Sequence, residues 1–178
     1  RGSSTSRGLG DVYKRQAQAG GYIDQASGGV VPPIQPSTTF VRDRAYVPHA
    51  SGNIYARDDS DTVRVAENIL AQLDAAQVAL LFPNGMAAIA AVFRALPTGA
   101  TVLLQAQIYW GTTKWVREFC SRRGMVLVEA DLSKPENMDK LCASHEPDLV
   151  FIETPSNPWL RSTDTVSYTH LTLPTNRE

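Results

Sequence analysis

The sequence predicts an α/β fold in which a mainly parallel sheet, covered by helices on both faces, follows an extended N-terminal arm. Three observations carry that expectation. From Val78 to Glu153, apolar runs of about five residues alternate with amphipathic stretches of about ten, the rhythm of right-handed β-α-β crossovers. Glycine or proline stands at the joins, at Gly85, Pro97, Gly124, Pro135 and Pro155, where strands and helices must stop. Ahead of that region, residues 17–61 hold no long period and carry Gly20, Gly21, Gly28, Gly29, Pro32, Pro33 and Pro36, a composition suited to a segment lying extended on another surface.

Taken in chain order, the first element is a tail. One possible coding of Asp11-Val12-Tyr13-Lys14-Arg15-Gln16 is GAT GTG TAT AAG AGA CAG, whose reverse complement read two bases in encodes Val-Ser-Tyr-Thr-His, the peptide at Val166–His170. An inverted repeat at the two ends of a coding sequence serves nothing at the protein level. It resembles the transposase end of sequencing-library adapters read from both sides, so residues 1–16 and 165–178 are set apart from fold reasoning. The organisation expected is an adapter-derived tail over 1–16, an N-terminal arm over 17–61, an incomplete α/β domain over 62–164 and a second tail over 165–178. Between the tails, twelve basic and sixteen acidic residues leave a net charge of −4.

Within the arm, Ser37-Thr38-Thr39-Phe40-Val41 is β-prone. Asp61 is suited to cap a helix running to about Ala75, with Val63, Ala66, Ile69, Leu70 and Leu73 at helical spacing. Val78–Phe82 reads as a buried strand, broken by Asn84 and Gly85, and Met86–Leu96 as a helix stopped by Pro97. Strand Thr101–Gln105, helix Gly111–Arg123 with Gly124 as a left-handed cap, and strand Met125–Glu129 follow. Helix Pro135–Ser144, with proline in its first turn, and strand Leu149–Glu153 complete the series.

Composition narrows the function classes. Hydrophobic residues make up 43% and charged residues 20% of 178, the average for a globular domain rather than a disordered or fibrous one. No apolar run approaches the roughly 18 residues that span a bilayer. The near-neutral charge supplies no basic field for nucleic acid or an anionic membrane. Cys120 and Cys142 make neither a disulfide framework nor a metal site, and His49 and His145 lack ligand spacing, so no metal is expected. The polar, basic first residues lack a signal peptide's apolar core, which points to the cytoplasm.

Parallel α/β sheets place ligands beyond the carboxyl ends of their strands, and this selects three loops. In Pro83-Asn84-Gly85-Met86, a glycine lets a ligand approach the backbone, and the N–H groups of Gly85, Met86 and Ala87 would face an anion from a helix N-terminus. A tight turn that holds nothing accounts for the same residues. Tyr109 and Trp110, beside Gly111-Thr112, offer a ring to stack on a flat heterocycle, or else a roof over the core. In Glu153-Thr154-Pro155-Ser156-Asn157-Pro158 the prolines hold the Asn157 amide in place for a hydrogen bond, or make only a structural turn.

Five stretches in order then resemble one family. They are Val30-Val31-Pro32-Pro33-Ile34-Gln35-Pro36-Ser37-Thr38-Thr39-Phe40, Tyr55-Ala56-Arg57, Asn84-Gly85-Met86-Ala87-Ala88, Tyr109-Trp110-Gly111-Thr112 and Glu153-Thr154-Pro155-Ser156-Asn157-Pro158. Together they are similar to the pyridoxal-phosphate enzymes of cysteine and methionine metabolism, the trans-sulfuration group typified by cystathionine γ-synthase. The resemblance implies an aspartate-aminotransferase-like large domain, with 62–164 as an incomplete pyridoxal-phosphate-binding domain, and pyridoxal 5'-phosphate as cofactor. It implies that Gly85 and Met86 hold the cofactor phosphate through backbone N–H groups, with Asn84 where Ser or Thr is usual. Tyr109 would stack on the pyridine ring, with a catalytic part also open to it, and Asn157 would sit near the ring's phenolic oxygen. Tyr55 and Arg57 would reach the phosphate of a neighbouring subunit in a homo-oligomer, a dimer of dimers, the planar guanidinium binding phosphate in two-fold fashion.

Two departures stand out. Asp58-Asp59-Ser60-Asp61 occupies the ground where the family carries Asn-Pro before its Thr, and Trp110 replaces a common Gly. The lysine that holds the cofactor covalently and the Asp that pairs with the pyridinium nitrogen are expected beyond Asp164. Lys114, Lys134 and Lys140 match no such motif and read as surface lysines. The resemblance implies γ-replacement on an O-activated homoserine with cysteine, a small-molecule amino-acid chemistry of methionine biosynthesis. A C–S lyase (cystathionine β-lyase, cystathionine γ-lyase or methionine γ-lyase) and a homoserine sulfhydrylase share every motif present. A non-catalytic α/β binding domain is the alternative from another class, though no G-x-G-x-x-G or G-x-x-x-x-G-K-[ST] follows any strand. The chain alone is expected to be inactive.

Overall fold

The computed structural model describes residues 19–165. The expectations for 1–16 and 166–178 fall outside the described residues. Those up to Phe82 form one compact unit and those from Pro83 onward a second.

In the first unit the arm is extended. A single 3-10 turn at Ala19–Gly21 and two isolated antiparallel bridges, Thr39 with Tyr55 and Arg42 with Pro48, are its regular features. It is held locally: Asp24 Oδ1 accepts from the Ser27 N–H and hydroxyl, both at 2.7 Å, and the Gln35 N–H donates to Thr62 Oγ1 at 2.9 Å. Val30, Val31, Ile34 and Ile54 are exposed as the arm's composition suggests, whereas Phe40 is half-buried. Helix α1 spans Asp61–Leu73. Its cap is Ser60 and not Asp61. Ser60 is extended and its Oγ accepts the Val63 N–H at 3.3 Å, while the Asp61 carboxylate is taken by Asn53 Nδ2 and Arg64. The helix stops short of Ala75 because that residue turns to φ 50°.

The strand expected at Val78–Phe82 does not form. Periodicity identified an apolar run, but a strand exists only where a ladder partner does. Among the described residues, the one hydrogen bond to this segment's backbone is Leu81 N–H to Glu67 Oε1 at 2.8 Å.

The second unit is the α/β layer structure. Helix α2 spans Gly85–Ala95, strand β1 Thr101–Gln105, helix α3 Trp110–Arg122, strand β2 Val126–Ala130, helix α4 Pro135–His145 and strand β3 Leu149–Phe151. The three strands are parallel in the order β2-β1-β3, with Leu103 aligned to Val128 and to Val150. Alternation on β1 divides two cores. Val102 and Leu104 pack with Phe93 of α2 and Val116 and Cys120 of α3 on one face, and Leu103 packs with Met138 of α4 and with Leu132, in the link before it, on the other. Helices therefore cover both faces, which the period-two pattern of a central parallel strand requires.

Gly124, at φ 62°, ends α3 in the left-handed region, and the Met125 N–H returns to the Cys120 carbonyl at 2.9 Å. Strand β3 is shorter than its apolar run. At Glu153 the backbone N–H leaves the ladder and donates to the Gln105 side chain at 3.1 Å, and that departure begins the third loop.

Candidate functional site

The site is built at the carboxyl ends of β1 and β3. Gln105, the last residue of β1, is buried, and its Oε1 accepts the Glu153 N–H at 3.1 Å and the Thr163 hydroxyl at 3.4 Å. One side chain thus fixes both ends of the loop after β3. That loop folds on itself. Ser156 is fully buried, its N–H donates to the Arg161 carbonyl at 2.9 Å and its Oγ accepts the Arg161 N–H at 3.2 Å. The Thr154–Pro155 and Asn157–Pro158 bonds are cis.

Tyr109 follows the carboxyl end of β1 and is the residue immediately before α3, with φ −49° and ψ 125°. The residue is 37% exposed, and its ring lies 5.9 Å from that of Trp110, tilted by 56°. Trp110 is exposed. The Tyr109 N–H points at the Glu153 carboxylate, 3.3 Å from each oxygen, and the Asn157 N–H donates to the same carboxylate at 2.5 Å. Two of the three selected loops are therefore joined. The remaining one is joined through Met86, whose Sδ accepts the Thr112 hydroxyl of α3 at 3.6 Å. The contacts that link the three loops are thus those of Glu153 with Tyr109 and Asn157 and that of Met86 with Thr112; the first loop does not follow a strand, as the sequence suggested, because Val78–Phe82 forms none.

At the start of α2, Asn84 is the helix cap. Its Oδ1 accepts the Ala87 N–H at 2.9 Å. This corrects the expectation that three free N–H groups face a ligand: the Ala87 donor is consumed by the cap, as N-capping asparagine ordinarily does. No described residue accepts from the Gly85 or Met86 N–H. A Cβ placed on Gly85 would meet nothing within 4 Å.

The carboxyl end of β2 lies alongside. Asp131 sits there, and the Ser133 hydroxyl at 2.6 Å, followed by the Ser133 N–H at 3.0 Å, holds its carboxyl below the ordinary range. Arg161 of the third loop stands 3.7 Å from it. Lys114, Lys134 and Lys140 are exposed. Among the described residues no group of acidic, histidine or cysteine side chains is placed to hold a metal.

Tyr55 and Arg57 belong to the first unit. The Arg57 guanidinium lies 4.9 Å over the Tyr55 ring, a cation–π contact, and the Tyr55 carbonyl accepts the N–H groups of Asp58 at 2.9 Å and Asp59 at 3.2 Å. The Asp59 carboxylate is paired with Arg64.

The sequence matches the Cys/Met metabolism PLP-dependent enzyme family over residues 15–173. The chain belongs to that family. Bovine (Bos taurus) cystathionine gamma-lyase is 35% identical over 81% of this chain and 35% of its own length, and the human (Homo sapiens) enzyme is 34% identical over 82% and 35%. Cystathionine gamma synthase from Xanthomonas oryzae pv. oryzae, solved with cystathionine, superposes with a TM-score of 0.76 at 32% identity, over 86% of this chain and 39% of that one. The cystathionine gamma lyase CalE6 from Micromonospora echinospora gives 0.71 at 35% identity, over 85% and 39%. The chain thus spans about a third of the length of the curated relatives it matches. The cofactor of the family is pyridoxal 5'-phosphate. The described residues make a partial α/β domain of that family's fold, and no helix among them is long and apolar enough to cross a membrane.

Sequence reasoning gave no role to Glu153 or Gln105. A carboxylate directly after an apolar strand, at the sheet edge where ligands bind, was the available signal for the first. Nothing in the sequence distinguished Gln105 from the polar end of any strand.

Proposed function

We propose that this chain supplies the phosphate-binding and ring-stacking side of a pyridoxal phosphate site in a trans-sulfuration enzyme of the cystathionine γ-synthase type. The observation that carries this reading is Gly85. The fold does not need glycine there: its φ lies outside the left-handed region and a Cβ would touch nothing. A glycine that neither the backbone nor packing requires leaves ground for a ligand, and the adjoining Gly85 and Met86 N–H groups at the start of α2 suit an anion.

When bound, pyridoxal phosphate supplies the electron sink for carbanion chemistry on an amino acid. In this reading the chain's residues bind and orient. Gly85 and Met86 donate to the phosphate, while Asn84 spends its side chain on the Ala87 N–H and keeps the first turn of α2 in place. Tyr109 presents its ring to the pyridine face, and Asn157 its amide to the phenolic oxygen. Tyr55 and Arg57 serve a neighbouring subunit's phosphate in a cytoplasmic homo-oligomer, and the cation–π contact holds the guanidinium ready.

The overall reaction proposed is γ-replacement: the Cγ–O bond of an O-acylated homoserine breaks, the acyl group leaves as its carboxylate, and the cysteine sulfur forms the new C–S bond as its thiol proton is released. The γ-lyase reading is favoured by the curated relatives, which carry that name. Titrating the chain with pyridoxal phosphate while following tryptophan fluorescence tests the site, and reversible saturable quenching is the expected result. Borohydride treatment should leave no stoichiometric adduct on the exposed Lys114, Lys134 or Lys140. In the full-length protein, cystathionine formation from cysteine and an O-acylhomoserine supports γ-replacement, and breakdown of cystathionine to cysteine supports the lyase.

A further inference from the structure

We infer that Glu153 is a positioning residue: its carboxylate fixes the Tyr109 and Asn157 loops to one another, and so sets where the Tyr109 ring stands. The inference rests on the site reading above. Its basis is the convergence of two backbone donors on one side chain, Tyr109 N–H at 3.3 Å from both oxygens and Asn157 N–H at 2.5 Å from Oε1. An ionised carboxylate accepts such bonds more strongly than a neutral group. Glu153 is itself secured from below, since its own N–H is tied to the buried Gln105 side chain.

On the α3 side the Tyr109 carbonyl accepts the Thr113 N–H at 3.2 Å and hydroxyl at 3.4 Å, so Glu153 anchors the Tyr109 N–H, and a further constraint on the ring is steric. A Cβ on Gly111 would come within 2.6 Å of Tyr109 Cε1 and 3.0 Å of Cζ. The ring therefore folds back over Gly111, in space that any side chain there would close. Gly111 allows that ring position, and Glu153 holds the backbone that delivers it.

Two measurements on the full chain test the inference. Amide hydrogen exchange followed by NMR on wild type, Glu153→Ala and Glu153→Gln reads the clamp itself. The alanine variant should speed exchange at Tyr109 and Asn157 about tenfold, the scale of a charge-assisted bond, with β1 and α3 interior amides unchanged. Glutamine, which keeps one oxygen acceptor, should restore part of that protection. The second measurement compares affinity for pyridoxal phosphate with affinity for inorganic phosphate. Glu153→Ala should weaken the first by about two- to tenfold, the worth of an aromatic stack, and leave the second unchanged. Gly111→Ala should weaken pyridoxal phosphate in the same way without altering exchange at Asn157.

Unchanged exchange at Tyr109 and Asn157 in Glu153→Ala overturns the clamp, and equal weakening of both ligands overturns the positioning role in favour of a general structural one. Wild-type chain that binds pyridoxal phosphate no better than inorganic phosphate would overturn the site reading itself. A pyridoxal phosphate preference that survives Glu153→Ala intact overturns this inference alone.

Discussion

A glycine in the first turn of a helix costs conformational entropy, and at Gly85 nothing in the fold offsets it. Gly85→Ala is therefore expected to leave the melting temperature unchanged or slightly raised. The added methyl would stand where a phosphate oxygen must approach, so affinity for pyridoxal phosphate should fall about tenfold or more, the value of a charge-assisted hydrogen bond. Calorimetry and a fluorescence titration on one protein sample separate the two effects. A loss of stability matching the loss of affinity would return Gly85 to an ordinary structural role. At this scale the sequence was informative where a residue's chemistry is local. Asn84 before Gly85 announces the start of a helix, and Tyr109 beside Gly111 an aromatic at a sheet edge. It was uninformative where partners are remote in sequence. The Ala87 N–H reads as free in the sequence because competition from the Asn84 side chain depends on cap geometry. Glu153 was passed over because its bond to Tyr109 exists only after β1 and β3 pair.

Elements were legible in proportion to how much of their stabilisation is their own. Helices α2, α3 and α4 and strands β1 and β2 fall within a residue or so of their expected spans, because capping signals and apolar period agree there. Val78–Phe82 is as apolar but has no strand partner among the described residues, and its apolar character alone cannot supply one. The link between β2 and α4 permits a test by pH. Asp131 is held below its ordinary pKa first by the Ser133 hydroxyl. Because the folded value is depressed, the stabilisation is fully present above the ordinary value of 3.8 and is lost as pH falls through the lower folded value. Asp131→Asn should therefore be less stable than wild type at neutral pH, with the gap closing on acidification below 3.8. Urea midpoints for both proteins across that range check it. A gap that stays constant with pH would mean that the charge on Asp131 contributes nothing to it.

For the molecule as a whole, the unusual feature is where apolar surface remains. The second unit builds two cores around β1 and still exposes Trp110, Trp159 and Leu160, and the first leaves Val30, Val31 and Ile34 of the arm in solvent. It also exposes Val78 and Leu80, at 70% and 67%, in a segment whose backbone is almost unpaired among the described residues. Apolar surface of this kind marks an interface, and unpaired extended backbone is a template for pairing with another chain. The isolated chain is therefore expected to self-associate as its concentration rises through the micromolar range. The two features differ in what would suppress it. If backbone pairing at Val78–Phe82 drives association, Leu80→Lys should shift it to higher concentration, because a lysine on an exposed strand opposes edge pairing. If the arm drives it by clasping a second copy, Ile34→Lys should have the larger effect and Leu80→Lys little. Sedimentation velocity on wild type and both variants distinguishes these outcomes. Monomer at every concentration in the wild type would show that neither surface is an interface, and would count against the oligomeric role given to Tyr55 and Arg57, since that role requires the arm to meet another subunit.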